Sequence, residues 1–488
     1  MSAESTAATL PDDVLAHIML LAAPYDPVDK IHMAQVSRWW RASALRNAQL
    51  WASFSFASSH RTFGLRYVLL FLQRSLTCDL FIAGLAVESL RMRLENDTPN
   101  DGASSSGSLF YLLPYAARIR QLHLYYARPF DTGDRVQLRH VRFPRLEDFK
   151  IFAAPAKVFV GAVVSLTSGS LRQLDLTYVR LDKWDLGTLA GLRMVRLCGC
   201  PLTSRVIYTI LYHCKRLERL ILVVPDGAAA LSEPPKLIKT MHLTALDLNM
   251  HPRDVRRVLD SLDGARLSSI SVAIPRIHSV GAPADGSLHP LLASVLRNVR
   301  SITNVAILSI VEGDIHFTSI LLVGEAGHER RLVYQTSQLN FPVLWKMLAQ
   351  NLSIDNTVRA FYVCANTWIP LATALAAQPP KNAVTLKLAP DIWTPGAVAD
   401  LPLMTLPMLS VIYAGNGCYS RDREVQKTFS YILHSIATTS RSVQICVDAG
   451  RYPDDPVKAG MLRYLRDLML WIGSGKCELC HHCLPSTL

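Results

Sequence analysis

The pattern apolar-x-x-apolar-x-apolar recurs along the middle of this 488-residue chain, and it limits the possible folds more than any other feature. It runs Ile119/Leu122/Leu124, Leu146/Phe149/Ile151, Leu171/Leu174/Leu176 and Leu192/Val195/Leu197. It continues as Leu217/Leu220/Leu222, Leu243/Leu246/Leu248 and Leu267/Ile270/Val272. These seven starts lie 21 to 27 residues apart. The last two residues of each triplet alternate at period two, which marks a short strand with one buried side. A unit of that length holds one strand and a returning helix or loop. It cannot cover its own apolar face, so successive units must stack. Weaker echoes follow at Ile302/Val305/Ile307, Val358/Phe361/Val363 and Leu406/Leu409/Val411.

The clearest unit starts at Val195-Arg196-Leu197-Cys198-Gly199-Cys200-Pro201-Leu202-Thr203 and runs through Val206, Ile207, Ile210 and Cys214 to Leu217. Leu202, Val206, Ile207, Ile210 and Leu211 fall at helical spacing and form a stripe to pack behind the strands. Cys198, Cys200 and Cys214 read as small buried apolar residues. This unit resembles the cysteine-containing leucine-rich repeat, and the series resembles a divergent leucine-rich-repeat solenoid over 119–470. The fold class expected is therefore α/β. Within that span, two β-rich runs at 315–323 and 330–335 flank Gly324-Glu325-Ala326-Gly327-His328-Glu329. They predict a hairpin, over about 315–337, that protrudes from the solenoid as an insertion. Residues 55–118 read as an irregular first unit, with an apolar helix near 67–72 and a strand at Leu80-Phe81-Ile82. Residues 96–108, rich in Asn, Asp, Gly and Ser, have almost nothing to bury and read as a loop or disordered tether.

The first 54 residues follow a different logic. Pro11 suits a first helical turn, and Asp12 and Asp13 complement the positive end of a helix dipole. Val14, Leu15, Ile18 and Leu21 recur at helical spacing, and Pro24 stops that helix. Asp26-Pro27 reads as a cap and first position of a second helix, with Val28 and Ile31 on its buried side. Ser37 can cap a third helix carrying Trp40, Arg41 and Leu45. Three short helices bury too little surface to be stable alone, so such a module wants a partner.

With Leu10-Pro11, Val36-Ser37-Arg38-Trp39-Trp40-Arg41 and Leu50-Trp51 in this order, the segment resembles an F-box. That family often carries Glu two residues after the proline; Asp13 keeps the charge here. The resemblance implies a substrate receptor that docks onto the Skp-type adaptor of a cullin ubiquitin ligase. The adaptor would be met through Leu10, Pro11, Val14, Leu15, Ile18, Val36, Trp40, Leu50 and Trp51, some of which must instead hold the helices together. The whole chain looks most like the large fungal class of F-box proteins with divergent repeats.

Bulk properties exclude other classes. Half of the residues are apolar and 18% are charged, which suits a globular chain and not a disordered one. The N-terminus is small, polar and acidic, unlike a secretory signal. The best apolar run, 305–323, is interrupted by Glu312, Asp314 and His316, which are costly in hydrocarbon. Ten scattered cysteines fit reduced thiols. The expected location is therefore cytoplasm, nucleus or both. The net charge of +12 comes without a dense basic run, apart from small clusters such as Arg253, Arg256 and Arg257, so a solvated basic surface is favoured over a nucleic-acid site.

No phosphate-cradling loop, nucleophile elbow or His-Glu-x-x-His helix is present, so no catalytic residue and no cofactor is expected. Lone histidines such as His123 and His316 carry no chemistry by themselves. The tail at 471–488 holds Cys477-Glu478-Leu479-Cys480-His481-His482-Cys483. Its Cys-x-x-Cys-His matches c-type haem attachment, which conflicts with the lack of an export signal. Zinc would use Cys477, Cys480, His482 and Cys483, but no second ligand pair follows, and a thiol-bearing tail without metal is the favoured reading. A target protein would meet the strand residues between the buried pairs: His123, Lys150, Asp175, Arg196, Ile221, Asp247 and Ser271. That mixture of charges suits a protein epitope better than a phosphate backbone. Two alternatives stay open, an adaptor-bound scaffold without a role in ubiquitination and a basic nucleic-acid-binding protein.

Overall fold

The computed structural model describes residues 10–55, 65–86, 105–126, 137–138, 143–153, 160–164, 169–181, 189–224, 231–232, 237–262, 267–274, 288–297, 299, 301–312, 315–324, 327–335, 345–346, 348, 354–377, 379–389, 404–405, 411–414, 436–437 and 444–447. It consists of a helical N-terminal region followed by a mixed α/β sheet region, and the chain divides into two compact units, Met1–Leu243 and Thr244–Leu488. Among the described residues no helix is long and apolar enough to cross a membrane.

The first unit opens with α1 (Asp12–Ala22), α2 (Pro27–Met33), α3 (Arg38–Arg46) and α4 (Ala48–Ala52), one short helix more than the sequence suggested. Two predicted caps are made: Asp26 accepts from the Val28 amide at 2.8 Å, and Ser37 accepts from the Trp40 amide at 3.1 Å. Each satisfies one of the amides a helix start leaves open. After β1 (Ser53–Ser55) come α5 (Leu65–Arg74), β2 (Leu80–Ala86), a run of 3-10 turns (Ser105–Arg118) and β3 (Ile119–Tyr126). Residues 105–108, expected as loop, thus belong to that run, while 96–104 lie outside the described residues.

The unit continues with β4 (Gln137–Leu138), β5 (Asp148–Ala153), β6 (Val160–Val164), β7 (Gln173–Thr177), β8 (Val179–Leu181), β9 (Met194–Cys198), α6 (Ser204–His213) and β10 (Arg219–Val223). Strands β1, β2, β3, β5, β7, β9 and β10 lie side by side in that order, every neighbouring pair parallel. Parallel neighbours need long crossovers, which the repeat spacing supplies. Leu122, Phe149, Leu174, Val195 and Leu220 stand in register and are all buried. Leu124, Ile151, Leu176, Leu197 and Leu222 form the second buried row. Each such side chain contributes about 1.5–3 kcal/mol on burial, so the two rows are the core of this sheet.

Behind the strands, α6 buries Ile207, Tyr208, Ile210 and Leu211, while Val206 is half-buried. Tyr208 enters the core because its hydroxyl donates to the Ser232 carbonyl at 3.0 Å. The buried Cys200 and Cys214 thiols are pushed up to about 12 by desolvation, which makes them inert packing groups. Gly199 is fixed by geometry. Its φ is +61°, and an added Cβ would overlap the Tyr178 ring.

The second unit contains β11 (Ala245–Asn249), α7 (Pro252–Ser261), β12 (Ser269–Ala273), α8 (Leu288–Val295), β13 (Ile302–Glu312), β14 (Ile315–Gly324) and β15 (Glu329–Gln335). Then follow α9 (Ile354–Thr357), β16 (Ala360–Cys364), α10 (Ala365–Ala377), β17 (Thr385–Ala389), β18 (Met404–Thr405), β19 (Val411–Ala414), β20 (Ile436–Ala437) and β21 (Gln444–Val447). Its strand order is β11, β12, β15, β14, β13, β16, β17, β19, β21. The two runs expected to protrude as a hairpin over about 315–337 lie within the sheet as β14 and β15. β15 pairs with β12 in parallel, β14 pairs antiparallel with both β15 and β13, and β13 passes the parallel run on to β16. The strands stay in the sheet because both outer members of this meander have parallel neighbours to satisfy their ladders. Strand β17 was hidden in the sequence because its leading apolar position is the small, buried Ala383.

Candidate functional site

Helix α1 carries two apolar faces, not one stripe. Leu15 and Met19, one turn apart, are fully buried with Ala23 just beyond. Val14, Ile18 and Leu21 occupy an adjacent face at i, i+4, i+7 and are 40%, 38% and 70% exposed. A helix needs one such stripe to hold its own domain, and a second, wet stripe marks a surface meant for something else. Further exposed apolar side chains in this region are Tyr25, Val36 and Leu45.

The residues expected to meet a partner therefore separate. Pro11, Val14, Ile18 and Val36 are exposed, while Leu10 and Trp40 are half-buried. Leu15, Leu50 and Trp51 are fully buried in the chain's own core, so their place as contacts is corrected. Trp51 shows why. Its indole N–H donates to the Ala44 carbonyl at 2.7 Å, its ring meets Phe71 edge-on at 5.1 Å, and the Arg74 guanidinium sits 4.7 Å from its centroid. It joins α4 to α5 and leaves nothing for a partner. Leu21, Tyr25 and Leu45 were absent from the expected set, although the doubled spacing in α1 already signalled Leu21.

The helices are fastened to the strand region. Phe54 of β1 meets Phe71 at 5.2 Å, and the Ser55 amide donates to the Tyr25 carbonyl at 2.7 Å. Lys30 is fully buried and donates to the carbonyls of Pro24, at 3.1 Å, and Ser53. Desolvation lowers its pKa to about 8, against a weaker opposing pull from Asp26. This corrects the expected face of α2: Pro27, Lys30 and Ala34 are buried, and Val28 and Ile31 are half-buried. The ion pair of Arg46 with Asp12 at 2.6 Å links α3 to the start of α1, but both groups are wet and it adds little.

The second expected site also has a definite placement. His123, Lys150, Asp175, Arg196 and Ile221 occupy one cross-strand row on the sheet face opposite the core. In the second unit Asp247 and Ser271 are likewise register partners, and their row runs on to Arg331, which the repeat pattern had no means of finding. His123 pairs with Asp148 at 2.8 Å, Lys150 reaches the same carboxylate at 3.5 Å, and Arg196 reaches Asp175 at 3.5 Å. Among the described residues no group of three or more His, Cys, Asp and Glu side chains is placed to hold a metal. Cys477, Cys480, His482 and Cys483 lie outside the described residues.

Residues 7–57 match the F-box-like family model. The match covers the four helices and β1, and it spans both faces of α1. An F-box-like domain suggests an adaptor-binding role in ubiquitin ligase complexes. No curated protein matches the chain.

Proposed function

We propose that the chain is the non-catalytic, substrate-recognising subunit of a Skp–cullin–F-box ubiquitin ligase. The observation that carries this reading is the wet Val14–Ile18–Leu21 face of α1 inside the F-box-like segment. That face would take the Skp-type adaptor, with Pro11 and Val36 beside it in the contact. The parallel strands would be divergent leucine-rich repeats, an assignment supported by the spacing of 21 to 27 residues and the two buried rows in register. The target would bind the opposite face of the sheet, in the cytoplasm or nucleus. Holding a target near a ubiquitin-loaded enzyme raises the effective concentration of its lysines, and the bond-making groups belong to other subunits.

The test is adaptor capture by the full chain. Ile18→Glu should abolish capture while leaving stability within about 0.5 kcal/mol, as for a surface change. Leu15→Ala should cost about 2–5 kcal/mol of stability through a core cavity, and capture should persist at temperatures where the variant is folded. Undiminished capture by the Ile18→Glu chain overturns the reading.

A further inference from the structure

The geometry points to an extended, acidic polypeptide segment with interspersed large apolar residues as the partner of the β3–β5–β7–β9 face. This rests on the target-receptor reading and gives the target a chemistry. Two rows carry it. In the first, His123, Lys150, Asp175 and Arg196 stand side by side; in the second, two residues on along each strand, stand Tyr125, Phe152, Thr177 and Cys198.

The Tyr125 and Phe152 rings are stacked, with centroids 5.2 Å apart and planes 8° apart, yet remain 40% and 43% exposed. They form a flat apolar platform still open to solvent, of the kind aromatic-rich interfaces use. Beside it the charges are layered by depth. Asp148 and Asp175 retain only 20% and 15% exposure, whereas Lys150 and Arg196 keep 36% and 46%. Desolvation raises the Asp175 carboxyl, in keeping with its sunken position. The carboxylates hold the cations from below, and what the face offers outward is positive charge next to an aromatic step.

Spacing selects the partner. Residues two apart on a strand are about 6.6 Å apart, and neighbouring strands about 4.8 Å. An extended segment laid along the strands repeats the first distance. It can seat an apolar side chain on Tyr125 and Phe152 and a carboxylate two residues away at Lys150, with Arg196 about 10 Å across the sheet for another. A nucleic acid could stack on the same rings. Its closely spaced phosphates would, however, run over Asp148 and Asp175 as well as over the cations, which disfavours a backbone track.

The probe is a short fluorescein-labelled peptide repeating Phe-Ser-Glu-Ser, titrated into the full chain and followed by anisotropy. Saturable binding is expected, at least about tenfold tighter than for peptides with Gln in place of Glu or Ser in place of Phe. A Lys150→Gln, Arg196→Gln double variant and, separately, Phe152→Ser should each weaken it about tenfold. Circular dichroism confirms that these variants are folded, and a single Lys150→Gln variant, which leaves Arg196 on Asp175, should show a smaller loss. Binding that ignores the Glu or Phe substitutions overturns the proposal, as does an oligothymidylate that binds as tightly, or no binding at all. Adaptor capture measured on the same preparations separates the two readings. Captured adaptor without peptide binding sinks only the target chemistry, while loss of capture in the unaltered chain sinks the receptor.

Discussion

Two buried cations, one in each unit, solve the same problem with different side chains. Lys30 sits where the N-terminal helices meet β1, and Arg330 sits at the start of β15, where the meander joins the parallel strands. Both are shut away from water, and each donates to backbone carbonyls. Arg330 bonds the carbonyls of Val295 at 3.0 Å, Ser268 at 3.1 Å, Glu329 at 2.8 Å and Leu267 at 2.9 Å. Val295 closes α8, so the guanidinium also meets the negative end of a helix dipole. Lys30 has two such carbonyls. The planar fork of arginine can tie three segments of chain together, and burial lowers its pKa only to about 10. The lysine ties two, and burial brings it to about 8. The Arg330 junction is thus built to stay charged, and the Lys30 junction lies within reach of mild alkali.

The largest effect expected from this contrast is at Arg330. Arg330→Met leaves up to four carbonyls without that donor and should cost about 3–4 kcal/mol, seen as a fall of roughly 10 °C in the calorimetric transition of the second unit. Arg330→Lys keeps the charge but cannot span the same carbonyls, and should cost about 2 kcal/mol. If the lysine variant is as stable as the parent, the fork geometry is irrelevant and the contrast fails. Lys30→Met should cost about 2 kcal/mol, read as a shift of the urea midpoint, because the Pro24 and Ser53 carbonyls lose a donor.

Much of this was readable beforehand, and the limits are instructive. The apolar triplets located the parallel strands because a strand buried on one side must alternate, and Leu122 to Leu220 stand in the expected register. Arg330 breaks the rule from inside. It is the register partner of Ile270 and fills a core position with a charge, which hydrophobic patterning cannot anticipate. The same blindness misassigned α2, where Lys30 is buried and Val28 is not. In α1 the sequence supplied the helix and its apolar positions, but not which of its two faces turns inward. Leu15 and Val14 are both apolar neighbours, and the positions of α3 and α4 against α1 decide between them. Ala383 shows a milder limit, since a small side chain fills a core position without looking hydrophobic enough to count.

The smallest and most discriminating effect is in pH. A lysine whose pKa is about 8 folded and 10.5 unfolded binds more protons in the unfolded chain between those values, so stability rises with pH across that window. Below about 8 both states are protonated and the contribution is flat. From pH 8 to 9 the gain should be about 1 kcal/mol, from the 1.36 kcal/mol that one pKa unit represents. Arg330 does not titrate there, because its lowered value of about 10 is still above the range. The buried thiols act with the opposite sign. Cys200 and Cys214 stay protonated up to about 12 in the fold but ionise near 9 when unfolded, which erodes stability as pH climbs. The raw profile therefore mixes two trends, and the informative quantity is the difference between the parent and Lys30→Met at each pH. That difference should change by about 1 kcal/mol between pH 8 and 9 in urea titrations, the parent gaining on the variant. Parallel profiles would mean that the amine is not desolvated as its burial requires, and the distinction between the two junctions would reduce to the number of carbonyls each cation holds.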